Sequence, residues 1–322
     1  MRPASVTLSD VARAAGVSKS TVSNVIRGAD AVAPHTRTRV ESAARRLGYR
    51  PNDVARALRA QSSMVLGLVV PDAANPFYGQ LALGVERRVH TEGFGVLIAN
   101  TACDPAMERA QIDALVSRRV DGVLIGGLSQ GSEVSVELLD RGIPVVCAFP
   151  PPADPRLGIV DTDDENAMTA VVEHLYRLGH RRIGFARDAL AEAGGEARQL
   201  AFRDAARRRR GVEVVSLSER PTAIVAHNDT VAIHQIDVLE RAGLRVPEDV
   251  SVIGFDDVPI AAHRRIELTT VSSDGARVGE VGAELLLRAI AGRRHVADAA
   301  TVPARLVVRR STGPANRGAG DG

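Results

Sequence analysis

Along the first fifty residues the apolar positions fall into three short groups at helical spacing. Val11, Ala12 and Ala15 form the first stripe, Val22, Val25 and Ile26 the second, and Val40, Ala43 and Leu47 the third. Thr7 followed by Asp10 is a capping pattern, so a helix is expected from Leu8 to Ala15. Gly16 then supplies a turn, Ser18 caps a second helix, and a third runs from about Pro34 to a stop at Gly48. Ala12, a glycine four residues later, and Val22 and Val25 six and nine beyond that glycine have the spacing of a helix-turn-helix.

Beyond Ser63 the pattern becomes strand-like. The runs MVLGLVV, FGVLIAN, DGVLIGG, IPVVCAF, RRIGFA, TAIVAHN and VSVIGFDD are nearly continuous apolar stretches, most of them separated by amphipathic helical segments. Strands buried on both faces of a parallel sheet look like this. The expected fold class is α/β: a three-helix head and a short hinge helix, then two doubly wound lobes with a cleft at the carboxyl ends of their strands. The expected division is a head at 1–50, a hinge at 51–63 and a body at 64–313. Within the body, lobe one covers about 64–161 and 275–302 and lobe two about 162–274 and 303–313. Residues 314–322 are expected to be a disordered tail.

Composition sharpens this picture mainly through charge. With 322 residues, 45% of them hydrophobic, the chain can bury a sizeable core, and no apolar run approaches the roughly 18 residues of a membrane span. The start shows no apolar signal region, and two cysteines without metal or disulfide spacing suit a reducing compartment, so a cytoplasmic location is expected. The net charge of +2 hides an asymmetry: residues 1–62 hold 11 Lys/Arg against 4 Asp/Glu, leaving 30 against 35 for the remainder. A basic head on a mildly acidic body points to a polyanion partner for the head alone.

Helix two then acquires a chemistry. Lys19, the single lysine of the chain, can donate to guanine, Asn24 can pair with adenine, and Ser20 can bond to a base or a phosphate. Thr7, Ser18, Thr21 and Ser23 complete the candidate DNA-contacting set in the head; a solvated helix surface is the plainer reading of the same residues. In the next segment Asn52 can cap a helix of barely two turns, Ala55 keeps it slim, and Leu58 can wedge into a minor-groove base step when a second copy and DNA are present.

Two motifs suggest other chemistry. Gly127-Leu128-Ser129-Gln130-Gly131 matches the hydrolase elbow pattern, but Ser132, Glu133 and Ser135 delay the apolar stripe, as a loop would, so no enzyme is expected and an esterase using Ser129 is a distant alternative. The acidic run Asp161 to Asn166 fits the start of a helix, where acids complement the dipole, better than a metal site. No phosphate-cradling loop or metal-spaced set is present in the sequence, and no cofactor is expected.

TLSDVARAAGVSKSTVSNVIRG and VAPHTRTRVESAARRLGYRPNDVARAL resemble the head and hinge of the lactose/galactose-repressor (LacI/GalR) family of bacterial transcription regulators. VVPDAANPFYGQL, HLYRLGHRRIGF, PTAIVAHNDTVAI, GLRVPEDVSVIGFDD and LTTV extend the resemblance almost end to end. It implies a body of the periplasmic-sugar-binding type with three crossings between lobes, a homodimer, a pseudo-palindromic operator and a sugar-like effector in the cleft. Residue by residue, it carries effector-binding roles to Phe77, Tyr78, Arg198, Asn228 and Asp256. Phe149 stands where many members place a ligand-facing aspartate, and Asn24 where many carry arginine.

The functional expectation is a dimeric, effector-controlled repressor. The alternative is a ligand-independent DNA-binding regulator with a degenerate pocket. The tail after Thr312 lacks leucine heptads, so no tetramerising coiled coil is expected. The chain is also short before PTAI. Only SERP separates two strand-like runs there, which excludes them as neighbouring parallel strands. Val212 to Leu217 is therefore expected to be irregular or displaced, with one crossover helix missing and a cleft more open beside Arg198.

Overall fold

The computed structural model describes residues 6–26, 32–49, 62–127, 133–149, 154–187, 193–292 and 298–316. Two compact units emerge, Met1–Ser63 and Met64–Gly322. In the first, α1 (Leu8–Ala15), α2 (Lys19–Ile26) and α3 (Pro34–Leu47) match the three expected helices. Thr7 and Asp10 form a reciprocal capping box, and Gly16 takes the left-handed conformation that turns the chain. Val11, Ala12, Ala15, Val22, Val25, Val40 and Ala43 make one small core.

The second unit holds two sheets of six strands. In lobe one, β1 (Val65–Val70), β2 (Gly95–Asn100), β3 (Gly122–Ile125), β4 (Val145–Ala148), β5 (Gly158–Thr162) and β11 (Ala299–Val302) lie in the order β11-β5-β4-β3-β1-β2, all parallel. Helices α4 (Pro76–His90) and α10 (Gly275–Gly292) cover one face, and α5 (Pro105–Ser117) and α6 (Glu133–Asp140) the other. In lobe two, β6 (Arg182–Ala186), β7 (Glu213–Val215), β8 (Ala223–Ala226), β9 (Ser251–Phe255), β10 (Thr269–Ser272) and β12 (Arg305–Val307) follow the order β12-β10-β9-β8-β6-β7. Only β12 runs antiparallel to its neighbour. Helices α7 (Asp164–Arg177) and α8 (Ala193–Arg208) pack on one face and α9 (Asp229–Arg241) on the other. The chain crosses between lobes three times: after β5, after β10, and between β11 and β12.

In lobe one the helices α4 and α10 touch backbone to backbone. A Cβ at Gly84 would stand 1.9 Å from the carbonyl oxygen of Ala276, and one at Gly279 would stand 2.1 Å from that of Leu81. No rotamer relieves a clash with main chain, so this pair of helices admits only glycine at both positions. Around them Leu81, Val85, Val278 and Leu286 are almost wholly buried.

Several expectations are corrected. The segment around Val212–Leu217 is not irregular: β7 is a regular edge strand parallel to β6. Strand β8 lies on the other side of β6, so β7 and β8 are not neighbours and the long crossover required of neighbouring parallel strands does not arise. Val214 and Ala223 both face Ile183, so a strand of only three residues leaves little climb for the return. A 3-10 helix at Leu217–Glu219, capped reciprocally by Ser216 and Glu219, makes that return in place of an α-helix. It rests on Gly184, where an added Cβ would come within 2.7 Å of Leu217.

Two further corrections are local. Helix α6 begins at Glu133, so Glu133 to Ser135 are helical rather than a loop; Ser135 is fully buried, its hydroxyl 3.7 Å from the sulfur of Cys147. The tail is fastened at its start. Ala315 donates its N–H to Leu178, and His180 contacts the Gly313 carbonyl through Nε2. No helix among the described residues is long and apolar enough to cross a membrane.

A buried carboxyl ties three elements of lobe two. Asp229, fully enclosed at the start of α9, accepts the Val258 N–H at 2.8 Å and the Thr270 hydroxyl at 2.5 Å. Burial pushes its pKa up to about 7, against the two hydrogen bonds that pull it down.

Two predictions follow from this packing. Gly84→Ala should destabilise the body by about 3 kcal/mol in urea unfolding, because the new methyl group meets main chain. For Asp229, the folded pKa of about 7 exceeds the ordinary 3.8, so the folded state binds the extra proton. Its contribution to stability is therefore highest at low pH and falls as pH rises through that window, levelling above it. Asp229→Asn should lower stability throughout yet flatten that slope when urea midpoints are compared across pH.

Candidate nucleic-acid interface and effector cleft

The head presents a polar row opposite its core. Val22 and Val25 of α2 are buried, while Ser18, Lys19 and Ser20 are exposed and Thr21, Ser23 and Asn24 are half-buried. Ser18 caps the helix: its hydroxyl accepts the Thr21 N–H at 3.1 Å and lies 2.7 Å from the hydroxyl of Ser20. Lys19 and Ser23, and likewise Ser20 and Asn24, are four residues apart and therefore share adjacent rows of the helix surface. Lys19 makes no hydrogen bond or ion pair among the described residues. The Thr7 hydroxyl, by contrast, already donates to Asp10 at 2.6 Å within the capping box. Asn52, Ala55 and Leu58 lie outside the described residues, as does Ser129.

In the body, the sequence-derived effector residues gather at the carboxyl ends of the strands. Asn75 caps α4 and accepts the Phe77 N–H at 3.0 Å, which sets Phe77 and Tyr78 on the first turn after β1. Phe149 directly follows β4 with φ of 70°, a conformation unusual for a bulky residue. The Phe77 ring meets Tyr78 edge-on at 5.3 Å and Phe149 at 5.6 Å, giving lobe one an aromatic wall. Val258 of lobe two belongs to the same buried cluster, so the two lobes touch there directly.

Lobe two supplies the polar side. Arg198 on α8 donates Nε–H to Asp164 at 3.0 Å and an NH1 hydrogen to the His227 carbonyl at 2.5 Å. Its guanidinium carbon sits 3.4 Å from the centroid of the Phe255 ring. The attraction of Asp164 and Asp256, with Tyr78 contributing, outweighs burial and keeps Arg198 above its ordinary pKa. Asn228 caps α9, its carbonyl oxygen accepting the Val231 N–H at 2.8 Å, with its amide 3.2 Å from His227 Nε2. Asp256 is buried with φ of 107°, and Asp257 follows at 54°, held by Arg309 at 2.6 Å. Two successive strained residues at a strand end mark a backbone fixed by its surroundings.

The expectation of an open cleft beside Arg198 is corrected: that residue is 7% exposed, because Phe255, Asp164 and the His227 backbone enclose it. Sequence reasoning passed over Asp164, His227 and Phe255. Asp164 read as an ordinary acid at a helix start, although that duty falls to Asp163, whose side chain accepts the Asn166 N–H. A groove of about 630 Å³ lies elsewhere, between α4, α10 and β11, and none of these cleft residues lines it. Among the described residues no group of three or more His, Cys, Asp or Glu is arranged to hold a metal ion.

Comparison with known proteins agrees with both halves. Residues 7–52 match the family model described as bacterial regulatory proteins, lacI family, and residues 211–312 match a periplasmic binding protein-like domain. The transcriptional repressor PurR of Photobacterium profundum is 30% identical, with 95% of this chain and 98% of that protein covered. The lac repressor dimer bound to operator and the anti-inducer ONPF superposes with a TM-score of 0.84 at 26% identity, covering 96% of this chain and all of the other. The regulator CelR in complex with cellobiose gives 0.68 at 28% identity, covering 95% and 99%. A helix-turn-helix head joined to a two-lobed body, with relatives matched over nearly their whole length, places this chain in the LacI family of bacterial DNA-binding transcriptional regulators.

Proposed function

We propose that the chain is a repressor that binds a pseudo-palindromic operator as a homodimer and responds to a sugar-like molecule in the cleft between its lobes. The observation that carries the DNA half is the polar row of α2, with Lys19 exposed above a buried Val22 and Val25. In this reading each head places Lys19, Ser20 and Asn24 in a major groove, where base edges offer complementary donors and acceptors. The operator-bound dimer and the cellobiose complex among its structural relatives support the partner, the assembly and the ligand class. With DNA as its partner, the protein would act in the cytoplasm. Catalysis is not part of this reading, since the relatives are regulators.

Effector control requires a ligand that binds one lobe arrangement better than another. Arg198 lies within electrostatic reach of both Asp256 and Tyr78, so a ligand beside it would meet groups of both lobes. A second reading has one specific observation in its favour: Phe77, Tyr78, Phe149, Arg198 and Asp256 are each at most 9% exposed. A cleft already filled by its own side chains would leave DNA binding independent of ligand.

Two measurements separate these readings. Lys19→Ala should weaken operator binding by about 1–3 kcal/mol and relax preference at one base pair; unchanged affinity and unchanged preference would remove Lys19 from the interface. A thermal-shift screen of sugars, followed by operator titration with any sugar that stabilises the protein, should show at least a roughly fivefold change in DNA affinity. Stabilisation without any change in operator affinity would favour the ligand-independent reading.

A further inference from the structure

Lys19 is the single lysine among the 41 lysines and arginines of the chain, so every other one of these side chains is a guanidinium. Reading a guanine does not require the amine. Arginine donates to the same two acceptors, O6 and N7, through a fork of fixed geometry. What an amine adds is reactivity: it can lose its proton and take an acyl group, whereas a guanidinium stays protonated. The one side chain open to that chemistry therefore stands on the helix read as contacting bases.

Its surroundings leave the amine accessible. Lys19 is the first residue of α2, is exposed, and makes no hydrogen bond or ion pair among the described residues. The polar neighbours are occupied with one another: the Ser18 hydroxyl lies 2.7 Å from that of Ser20 and 2.8 Å from that of Thr21. Asp10 is held by the Thr7 hydroxyl and by Arg13, and Glu41, the other described acid of the head, forms no ion pair with Lys19. With 11 Lys/Arg against 4 Asp/Glu in residues 1–62, this surface attracts small anions, acylating ones included.

We propose that Lys19 is an acylation site through which an acyl phosphate releases the protein from its operator. This rests on the reading of α2 as the base-contacting helix. The neutral amine attacks the carbonyl carbon, the bond from that carbon to the phosphate oxygen breaks, and inorganic phosphate leaves with the electron pair. The nitrogen gives its remaining extra proton to solvent. An ammonium with three donors becomes an uncharged amide with one, which cannot donate to both O6 and N7 and no longer attracts the duplex. Because no second lysine exists, the reaction is confined to the DNA-facing row instead of being scattered over the surface.

The test treats the full-length protein with acetyl phosphate at mildly alkaline pH, maps the adducts by peptide mass spectrometry, and titrates operator before and after. Lys19 should be acetylated, saturating operator should protect it, and the modified fraction should bind operator roughly tenfold more weakly or worse. Lys19→Arg, whatever its own starting affinity, should bind operator equally before and after the same treatment. Four results would each overturn the proposal: no adduct at Lys19, an adduct that operator does not prevent, acetylated Lys19 with undiminished operator affinity, or an equal loss in treated Lys19→Arg. The underlying reading has a separate readout in Lys19→Ala. Weakened operator binding in that variant keeps Lys19 at the interface even where acylation fails, and unchanged binding removes both.

Discussion

Burial of the Arg198 guanidinium is the constraint around which the cleft is organised. An uncompensated charge enclosed to this degree would destabilise the fold by several kcal/mol. Each neighbour reduces that penalty in a different way: Asp164 by charge, the His227 carbonyl by a directed hydrogen bond, and Phe255 by offering its ring face. These partners come from α7, from the end of β8 and from β9, so one side chain on α8 fixes the relative placement of four elements. The strained turn at Asp256 and Asp257 completes the arrangement, and Asp229 beneath it anchors the next residue, Val258.

That anchor links chemistry to mechanics. Val258 carries lobe two into the aromatic cluster of lobe one, and the three chain crossings restrict the lobes to hinged motion about the strands that join them. Lobe one brings to this contact a rigid base, because α4 and α10 meet at main-chain distance and cannot slide without collision. In the proposed reading, a molecule entering between Arg198 and the Phe77 wall would act on the cluster in which Val258 seats. Differential seating of this kind is the physical form that effector control takes in a two-lobed protein.

Legibility in the sequence followed the range of the interactions. The head was readable because its signals are local: the Thr7–Asp10 box, the turn at Gly16 and the Pro34 start depend on residues a few positions apart. Strands β1, β3, β4, β8 and β9 were readable as continuous apolar runs since both faces are covered. Strands β11 and β12 lie at sheet edges, are three or four residues long and show no continuous apolar run, so they carried no such signal, whereas β7 read as a strand-like run and only its pairing with β6 was hidden. In the cleft, Phe77, Tyr78, Arg198, Asn228 and Asp256 were named from resemblance. Asp164, His227 and Phe255 were missed because their part in the site arises only from tertiary contact with Arg198. The enclosure of Arg198 likewise could not be inferred from the short stretch before Pro221, since its cover comes from β9 and α7 rather than from that stretch.

The three-residue strand β7 has a consequence for the protein outside its complexes. A sheet edge exposes a row of unpaired backbone groups that can recruit another chain, and longer, flatter and more apolar edges do so more readily. Here the edge of lobe two is brief, begins with Glu213 paired to Arg182, and is closed off by the 3-10 turn before a fourth residue can extend it. So short and charged an edge offers little backbone for another chain to pair with, which is the property that limits strand-to-strand association.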